Sequence, residues 1–168
     1  MTRFVIEPLA AHDRTSFNCG VEALNRYFRE QVTQDVRRRL SNCFVAVTST
    51  GAVASYYTLA SASVSLTELA EAESRRLPRY KLLPAGLIGR LAVDLDFRGQ
   101  GLGAALVVDA IGRAARAEPM IFALIVDAKD ESAAAFYAHL GFRPFESRAS
   151  SLYLPLASAL RLLRGEQD

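Results

Sequence analysis

The chain has 168 residues, of which 51% are hydrophobic and 23% charged, enough to bury one core and too few for two domains of ordinary size. Its two cysteines, Cys19 and Cys43, lack the short spacing of a metal clip and cannot staple a scaffold, and no apolar run reaches membrane-spanning length. With no basic-then-apolar leader in Met1 to Pro8, the sequence predicts a soluble, cytoplasmic protein, a single domain over residues 1–168 that holds no metal.

Arg3 to Leu9 reads as a strand. Val21, Leu24, Tyr27, Phe28, Val32 and Val36 recur at helical spacing and predict a long amphipathic helix, which ends in Arg37, Arg38 and Arg39, where basic charge suits the helix dipole. Asn42 to Thr48 and Ala52 to Ser63 are rich in β-formers and flank Thr50-Gly51, an antiparallel hairpin. Leu66 to Glu73 predicts a short helix, and Arg75 to Lys81, with Pro78 inside it, an exposed connector. Leu87 to Leu95 reads as a central strand, Leu102 to Ala117 as a helix and Met120 to Val126 as an apolar strand. Glu131 to His139 is helical until Gly141 stops it, and Ala149 to Leu156 closes the sheet ahead of a short basic helix. The order is β-α-β-β-α-β-α-β-α-β, a meander followed by a βαβ unit, which places the chain in the α/β (α+β) class.

The net charge of +2 is unevenly spread. Residues 1–90 carry twelve basic and eight acidic groups, and residues 91–168 carry eight and ten, so a polyanionic partner would face the first half. Eighteen of the 20 basic residues are Arg, whose planar fork suits phosphate, although codon bias produces the same excess.

Gly99, Gly101 and Gly103 alternate between a strand and a helix, so unhindered backbone N–H groups and the positive end of a helix converge on one spot suited to phosphate. The pattern also meets a relaxed dinucleotide form, Gly99-x-Gly101-x-x-Ala104, with Asp127 ending the following strand. Against that reading, Asp94 to Arg98 separate the strand from the first glycine, and the chain has room for a single βαβ unit. A glycine in a helix costs about 1 kcal/mol relative to alanine, which argues against an idle glycine-rich helix start.

Arg98-Gly99-Gln100-Gly101-Leu102-Gly103 after Val93-Asp94 resembles the Q/R-x-x-G-x-G/A signature of the GNAT acetyltransferases, and Ala133, Phe136-Tyr137 and Leu140-Gly141-Phe142 resemble its downstream half. The resemblance implies the GNAT fold: a central mixed, mostly antiparallel sheet, splayed at the cofactor site and flanked by helices. It implies acetyl-CoA as acetyl donor, with main-chain contacts to pantetheine from Leu91, Ala92 and Val93 and a pyrophosphate site formed by Arg98, Gly99, Gln100, Gly101, Leu102, Gly103 and Ala104. It also places the Tyr137 hydroxyl near the cofactor sulfur as the acid for the departing thiolate, although Ala133, Phe136, Tyr137 and Leu140 equally form a helical core stripe. Asp130 stands where many relatives have Asn.

Four further motifs extend the resemblance over nearly the whole chain: Phe17-Asn18-Cys19-Gly20 with Leu24-Asn25, Tyr56-Tyr57-Thr58-Leu59, Leu77-Pro78-Arg79-Tyr80 and Gly89-Arg90-Leu91-Ala92-Val93-Asp94. They are similar to the GNAT toxins of bacterial type II toxin–antitoxin systems. That likeness implies acetylation of the α-amino group of aminoacyl-tRNA, arrest of translation, neutralisation by a ribbon-helix-helix antitoxin, and a homodimer. A tRNA acceptor arm requires several phosphate contacts, for which Arg37, Arg38, Arg39, Arg75, Arg76, Arg79, Lys81 and Arg90 are the candidates; each taken singly is as well read as a solvated surface charge. An α-amino group titrates near ~7.7–8.0, against ~10.4 for lysine, so such an enzyme can dispense with a strong base. In keeping with this, His12 and His139 read as surface residues and no His–carboxylate pair stands at a suggestive position. The alternatives are a GNAT that acetylates a protein N-terminus, a lysine or a small polyamine, and a non-catalytic binding module.

Overall fold

The computed structural model describes residues 3–165; the ends of the expected 1–168 domain, residues 1–2 and 166–168, lie outside the described residues. Its elements are strands β1 (Phe4–Pro8), β2 (Asn42–Thr48), β3 (Val53–Ser65), β4 (Leu82–Val93), β5 (Ala123–Asp127), β6 (Arg143–Pro144) and β7 (Ser151–Pro155) and helices α1 (Glu22–Arg26), α2 (Val32–Arg37), α3 (Glu71–Ser74), α4 (Leu102–Ala115), α5 (Glu131–His139) and α6 (Leu156–Leu163). The strands form one sheet in the order β1-β2-β3-β4-β5-β7-β6. β1/β2, β2/β3, β5/β7 and β6/β7 pair antiparallel and β4/β5 parallel, so the sheet is mixed and mostly antiparallel, with helices flanking it. No described helix is long and apolar enough to cross a membrane.

Backbone contacts group the chain into two compact units, Met1–Ala60 with Gly89–Ala110, and Ser61–Ile88 with Ile111–Asp168. The chain passes from one to the other inside β3, β4 and α4.

In the first unit, α1 and α2 are one helix interrupted by a π-helical turn, Tyr27–Gln31, in which Val32 N–H reaches back five residues to Tyr27 O. The wider turn faces both Tyr27 and Phe28 inward, where they are 4% and 0% exposed. Phe28 stacks on Tyr56 at 4.2 Å between ring centroids, and Phe17 meets both rings edge-on at 4.8 and 5.4 Å. Each such aromatic pair is worth about 0.5–1.5 kcal/mol beyond its buried area. Val32, Val45 and Ala92 pack on the same cluster. The helix ends when Arg39 turns left-handed (φ 61°), which lets Leu40 N–H reach Asp35 O at 3.0 Å.

In the second unit, Val64, Leu69, Leu83, Ala85, Ile125, Phe145 and Tyr153 form a separate core. The predicted helix over Leu66 to Glu73 divides into a 3₁₀ turn, Leu66–Glu68, and α3, because Leu69 and Ala70 turn extended between them. β4 begins five residues earlier than predicted. Pro84 lies inside it without breaking it, because Pro84 presents its carbonyl to Phe122 N–H at 2.8 Å. β5 starts at Ala123 rather than Met120, which is 79% exposed.

Candidate functional site

The glycine loop joins β4 to α4 in the first unit. Gly99 and Gly101 have φ of +77° and +75°, a left-handed conformation that costs other residues about 1–2 kcal/mol, and the space beside each Cα is open. Two left-handed turns deliver the chain to the start of α4, where the first intrahelical bond runs from Ala105 N to Gly101 O at 3.0 Å. The N–H groups of Leu102, Gly103 and Ala104 thus lie at the end of a 14-residue helix with no intrahelical acceptor, a concentration of positive potential beside a chain too small to obstruct an approaching phosphate. Arg98 and Gln100 are exposed at the same loop.

A hydrogen-bonded brace holds this loop against the Phe17–Gly20 turn. Asp94, 7% exposed, caps the 3₁₀ turn Leu95–Phe97: its Oδ1 accepts from Asp96 N and its Oδ2 from Asn18 N, both at 2.9 Å. Leu95 N donates to Asn18 O at 2.9 Å, and the Arg98 guanidinium donates to Cys19 O at 2.9 Å. The turn is itself ordered by amides: Asn18 Oδ1 accepts from Gly20 N and Asn25 Nδ2, and buried Asn25 Oδ1 accepts from Cys19 N at 2.8 Å. The Phe17-Asn18-Cys19-Gly20 and Leu24-Asn25 motifs, apparent in the sequence only as a resemblance, brace the glycine loop from its far side. Cys43 is a buried thiol whose pKa burial pushes up to about 12, in keeping with inert packing.

Among the described residues, the strand leading into the loop extends beyond its pairing with β5. Parallel pairing of β4 with β5 covers Ala85 to Ile88, while β4 continues to Val93. Arg90 N donates to the Thr58 side-chain oxygen at 3.1 Å and Asp94 N to Ala54 O at 2.8 Å, both on β3. Alternation along a strand then turns the main-chain groups of Leu91 and Val93 to the opposite edge and those of Ala92 toward β3. A Cβ at Gly89 would lie 3.2 Å from Thr58 Oγ1, so the small residue permits the hydroxyl to take the ladder's place.

Tyr137 belongs to the second unit. Asp130, the N-cap of α5, accepts from Ala133 N at 2.8 Å. At the other end Phe142 N donates to Tyr137 O and Gly141 N to Ala138 O, a Schellman stop that requires the positive φ of Gly141 (+101°). The Leu140-Gly141-Phe142 motif is therefore a helix terminator that sets the Tyr137 ring edge-on between Phe136 (5.1 Å) and Phe142 (5.4 Å). Burial raises the Tyr137 pKa to about 12, so the hydroxyl stays protonated at neutral pH and can donate a proton.

The candidate phosphate contacts are divided between the two units. Arg37, Arg38 and Arg39 are exposed at the end of α2, and Arg90 is half-buried with its guanidinium 3.5 Å from the Tyr27 ring centroid. Arg75, Arg76, Arg79 and Lys81 are exposed in the second unit, Arg75 beside Glu71 at 2.5 Å. A His–carboxylate pair that the sequence did not suggest joins His12 Nε2 to Glu7 Oε1 at 2.7 Å beside β1, where His12 Nδ1 also accepts from Ala10 N; His139 is exposed. Among the described residues no group of three His, Cys, Asp or Glu side chains could hold a metal ion.

Residues 40–144 match the family model described as the acetyltransferase (GNAT) domain. A tRNA-acetylating toxin of Mycobacterium tuberculosis is 36% identical over 155 residues, covering 91% of this chain and 92% of that protein. Among solved structures, AtaT complexed with acetyl-methionyl-tRNAfMet superposes with a TM-score of 0.87 at 30% identity, over 96% of this chain and 99% of that one. A tyrosine-to-phenylalanine mutant of AtaT, bound to the C-terminus of the antitoxin AtaR and to acetyl-CoA, superposes at 0.80 with 30% identity, over 97% and 99%.

Proposed function

We propose that this chain, which belongs to the GNAT acetyltransferase family, is the toxin of a toxin–antitoxin pair that transfers acetyl from acetyl-CoA to the α-amino group of aminoacyl-tRNA and so stops translation. The observation that supports this reading is the glycine loop, with left-handed Gly99 and Gly101 at the start of α4, in a chain alike over nearly its whole length to tRNA-acetylating toxins.

Acetyl-CoA supplies an acetyl group activated as a thioester. The N–H groups at the start of α4, with Arg98 and Gln100, would hold its pyrophosphate, and the edge of β4 at Leu91 and Val93 would hydrogen-bond the pantetheine arm as a strand does. The Tyr137 hydroxyl donates its proton to the departing sulfur; its burial keeps that proton in place up to pH about 12. The attacking group is a neutral α-amine of pKa ~7.7–8.0, already partly deprotonated near neutral pH, so no strong base is called for: the proton the nitrogen sheds on acylation returns, directly or through solvent, to the Tyr137 oxygen, and His12, engaged with Glu7, is not needed. The solved structure of a tyrosine mutant of AtaT supports interest in a tyrosine of that neighbour.

The working assembly on this reading is a cytoplasmic homodimer of one catalytic domain per chain, residues 1–168, neutralised by a ribbon-helix-helix antitoxin; an AtaT mutant has been solved bound to the C-terminus of the antitoxin AtaR. A cell-free translation system tests the biological claim. Protein synthesis should stop only when acetyl-CoA accompanies the protein and resume when freshly charged tRNA is added after the protein has been removed. Arrest without acetyl-CoA would overturn it.

A further inference from the structure

The second unit contains a cleft of about 650 Å³ that the reaction does not use. Arg76, Arg143 and Arg161 surround it, Glu73 is the one carboxylate on its wall among the described residues, and Leu77 and Phe122 form much of its apolar lining. Two of these arginines, Arg143 on β6 and Arg161 on α6, lie far from Arg76 in sequence and were no part of the basic set read from the sequence. The wall is constructed rather than incidental. Tyr153, fully buried, donates its hydroxyl to the Glu73 carboxylate, and Glu73 pairs with Arg143, so a core side chain fixes the orientation of a surface guanidinium. Arg76 follows within the same turn, its N–H bonded to Glu73 O at 3.1 Å.

We propose that this cleft binds the sugar–phosphate backbone of the RNA substrate, at a site separate from the acetyl-transfer chemistry; the inference rests on the aminoacyl-tRNA reading above. Among the described lining residues three arginines stand against one carboxylate, so the lining carries a net positive charge, and guanidinium forks match phosphate oxygens. The half-buried Phe122 ring and Leu77 offer an apolar surface to a ribose or base, which a bare anion site would lack. The volume lies in the range of pockets that take a nucleotide-sized group. Exposed Arg79 and Lys81 continue the positive charge along the chain beyond Arg76, as successive phosphates require and a single carboxylate does not.

The test measures binding of uncharged tRNA to the full chain across a range of salt concentrations, for the wild type, for Arg76→Glu alone, for the triple change Arg76→Ala, Arg143→Ala and Arg161→Ala, and for the same three positions changed to Lys. Acetyl-CoA binding reports whether each variant is folded. The proposal expects the triple Ala variant to bind tRNA at least tenfold more weakly, with a log–log salt slope smaller by about 2, since each phosphate contact contributes roughly 0.7–0.9. The Lys variant should recover most of the affinity, and Arg76→Glu, on an exposed side chain, should weaken binding even if the triple change disturbs Tyr153 and Glu73. Folded variants whose tRNA affinity and salt slope equal those of the wild type would overturn the proposal. So would variants that lose affinity only for a synthetic acidic peptide, which would assign the cleft to a protein partner. Wild-type protein that binds no tRNA would instead refute the substrate reading itself.

Discussion

Replacing Asp94 by asparagine changes the brace behind the glycine loop by one charge and almost no volume. In the native chain one carboxylate oxygen accepts from Asn18 N and the other from Asp96 N, each at 2.9 Å and at a site 7% exposed. The single amide oxygen of the substituted side chain could serve only one of these donors, while its NH₂ would confront the other N–H. A hydrogen bond to a charged group contributes about 1.5–3 kcal/mol, so a loss of about 2 kcal/mol is expected. Spread over the whole fold, that lowers Tm by about 4–8 °C. Because both donors belong to the segments that the brace joins, most of the loss should fall on the loop, and about 2 kcal/mol there weakens acetyl-CoA binding by up to ~30-fold. Thermal unfolding with and without acetyl-CoA, together with titration calorimetry of acetyl-CoA, measures both quantities. A Tm lowered by several degrees with unchanged acetyl-CoA affinity would refute the reasoning, since Asp94 would then support the fold and not the loop.

Three further outcomes are expected. Tyr137→Phe should lower kcat by about 10²–10⁴-fold, the usual contribution of a positioned acid, with acetyl-CoA affinity within about twofold of wild type, and unchanged turnover in steady-state assays would remove Tyr137 from the mechanism. Gly101→Ala meets open space but must hold φ near +75°, so calorimetry should show a loss of about 1–2 kcal/mol in stability and weaker acetyl-CoA binding; a fully neutral substitution would mean that the left-handed turn is not required. Burial raises the pKa of Cys43 and of Tyr137 to about 12 each and raises those of Tyr27 and Tyr56 as well. Above pH 9 to 10 the unfolded chain therefore releases protons that the native chain keeps, and stability falls as pH rises. Chemical denaturation between pH 9 and 12 should show losses that approach about 1.4 kcal/mol per pH unit for each such group, and a flat profile would contradict their burial.

Much of the fold was legible because local patterns and tertiary demands agree. The inward face of the first helix and the span of Glu131 to His139 follow from spacing and from the glycine that stops α5. The differences have local causes. The π-helical turn, with Tyr27 and Phe28 both inward, lies inside a stripe that reads as ordinary helical spacing, so periodicity does not reveal it. Pro84 reads as a break, yet within β4 it offers a carbonyl to Phe122, and two-residue β6 is too short to leave a pattern. The glycine loop was readable because left-handed turns select glycine. Its brace was not, since Asn18 and Asp94 are 76 positions apart and only the fold brings that amide to that carboxylate. Arg143 and Arg161 escaped notice for the same reason: sequence reading finds basic residues in runs, whereas the cleft gathers single arginines from separate elements.

The position of the transferred acetyl group tests the central claim most directly. Acetyl-CoA labelled in the acetyl group is incubated with the protein and, in parallel, with charged tRNA, uncharged tRNA, ribosomal protein or polyamine, and the products are subjected to mild ester hydrolysis. The account predicts label on charged tRNA alone, released as N-acetyl amino acid. Label confined to protein or polyamine, with charged tRNA untouched, would leave a GNAT acetyltransferase and contradict the substrate.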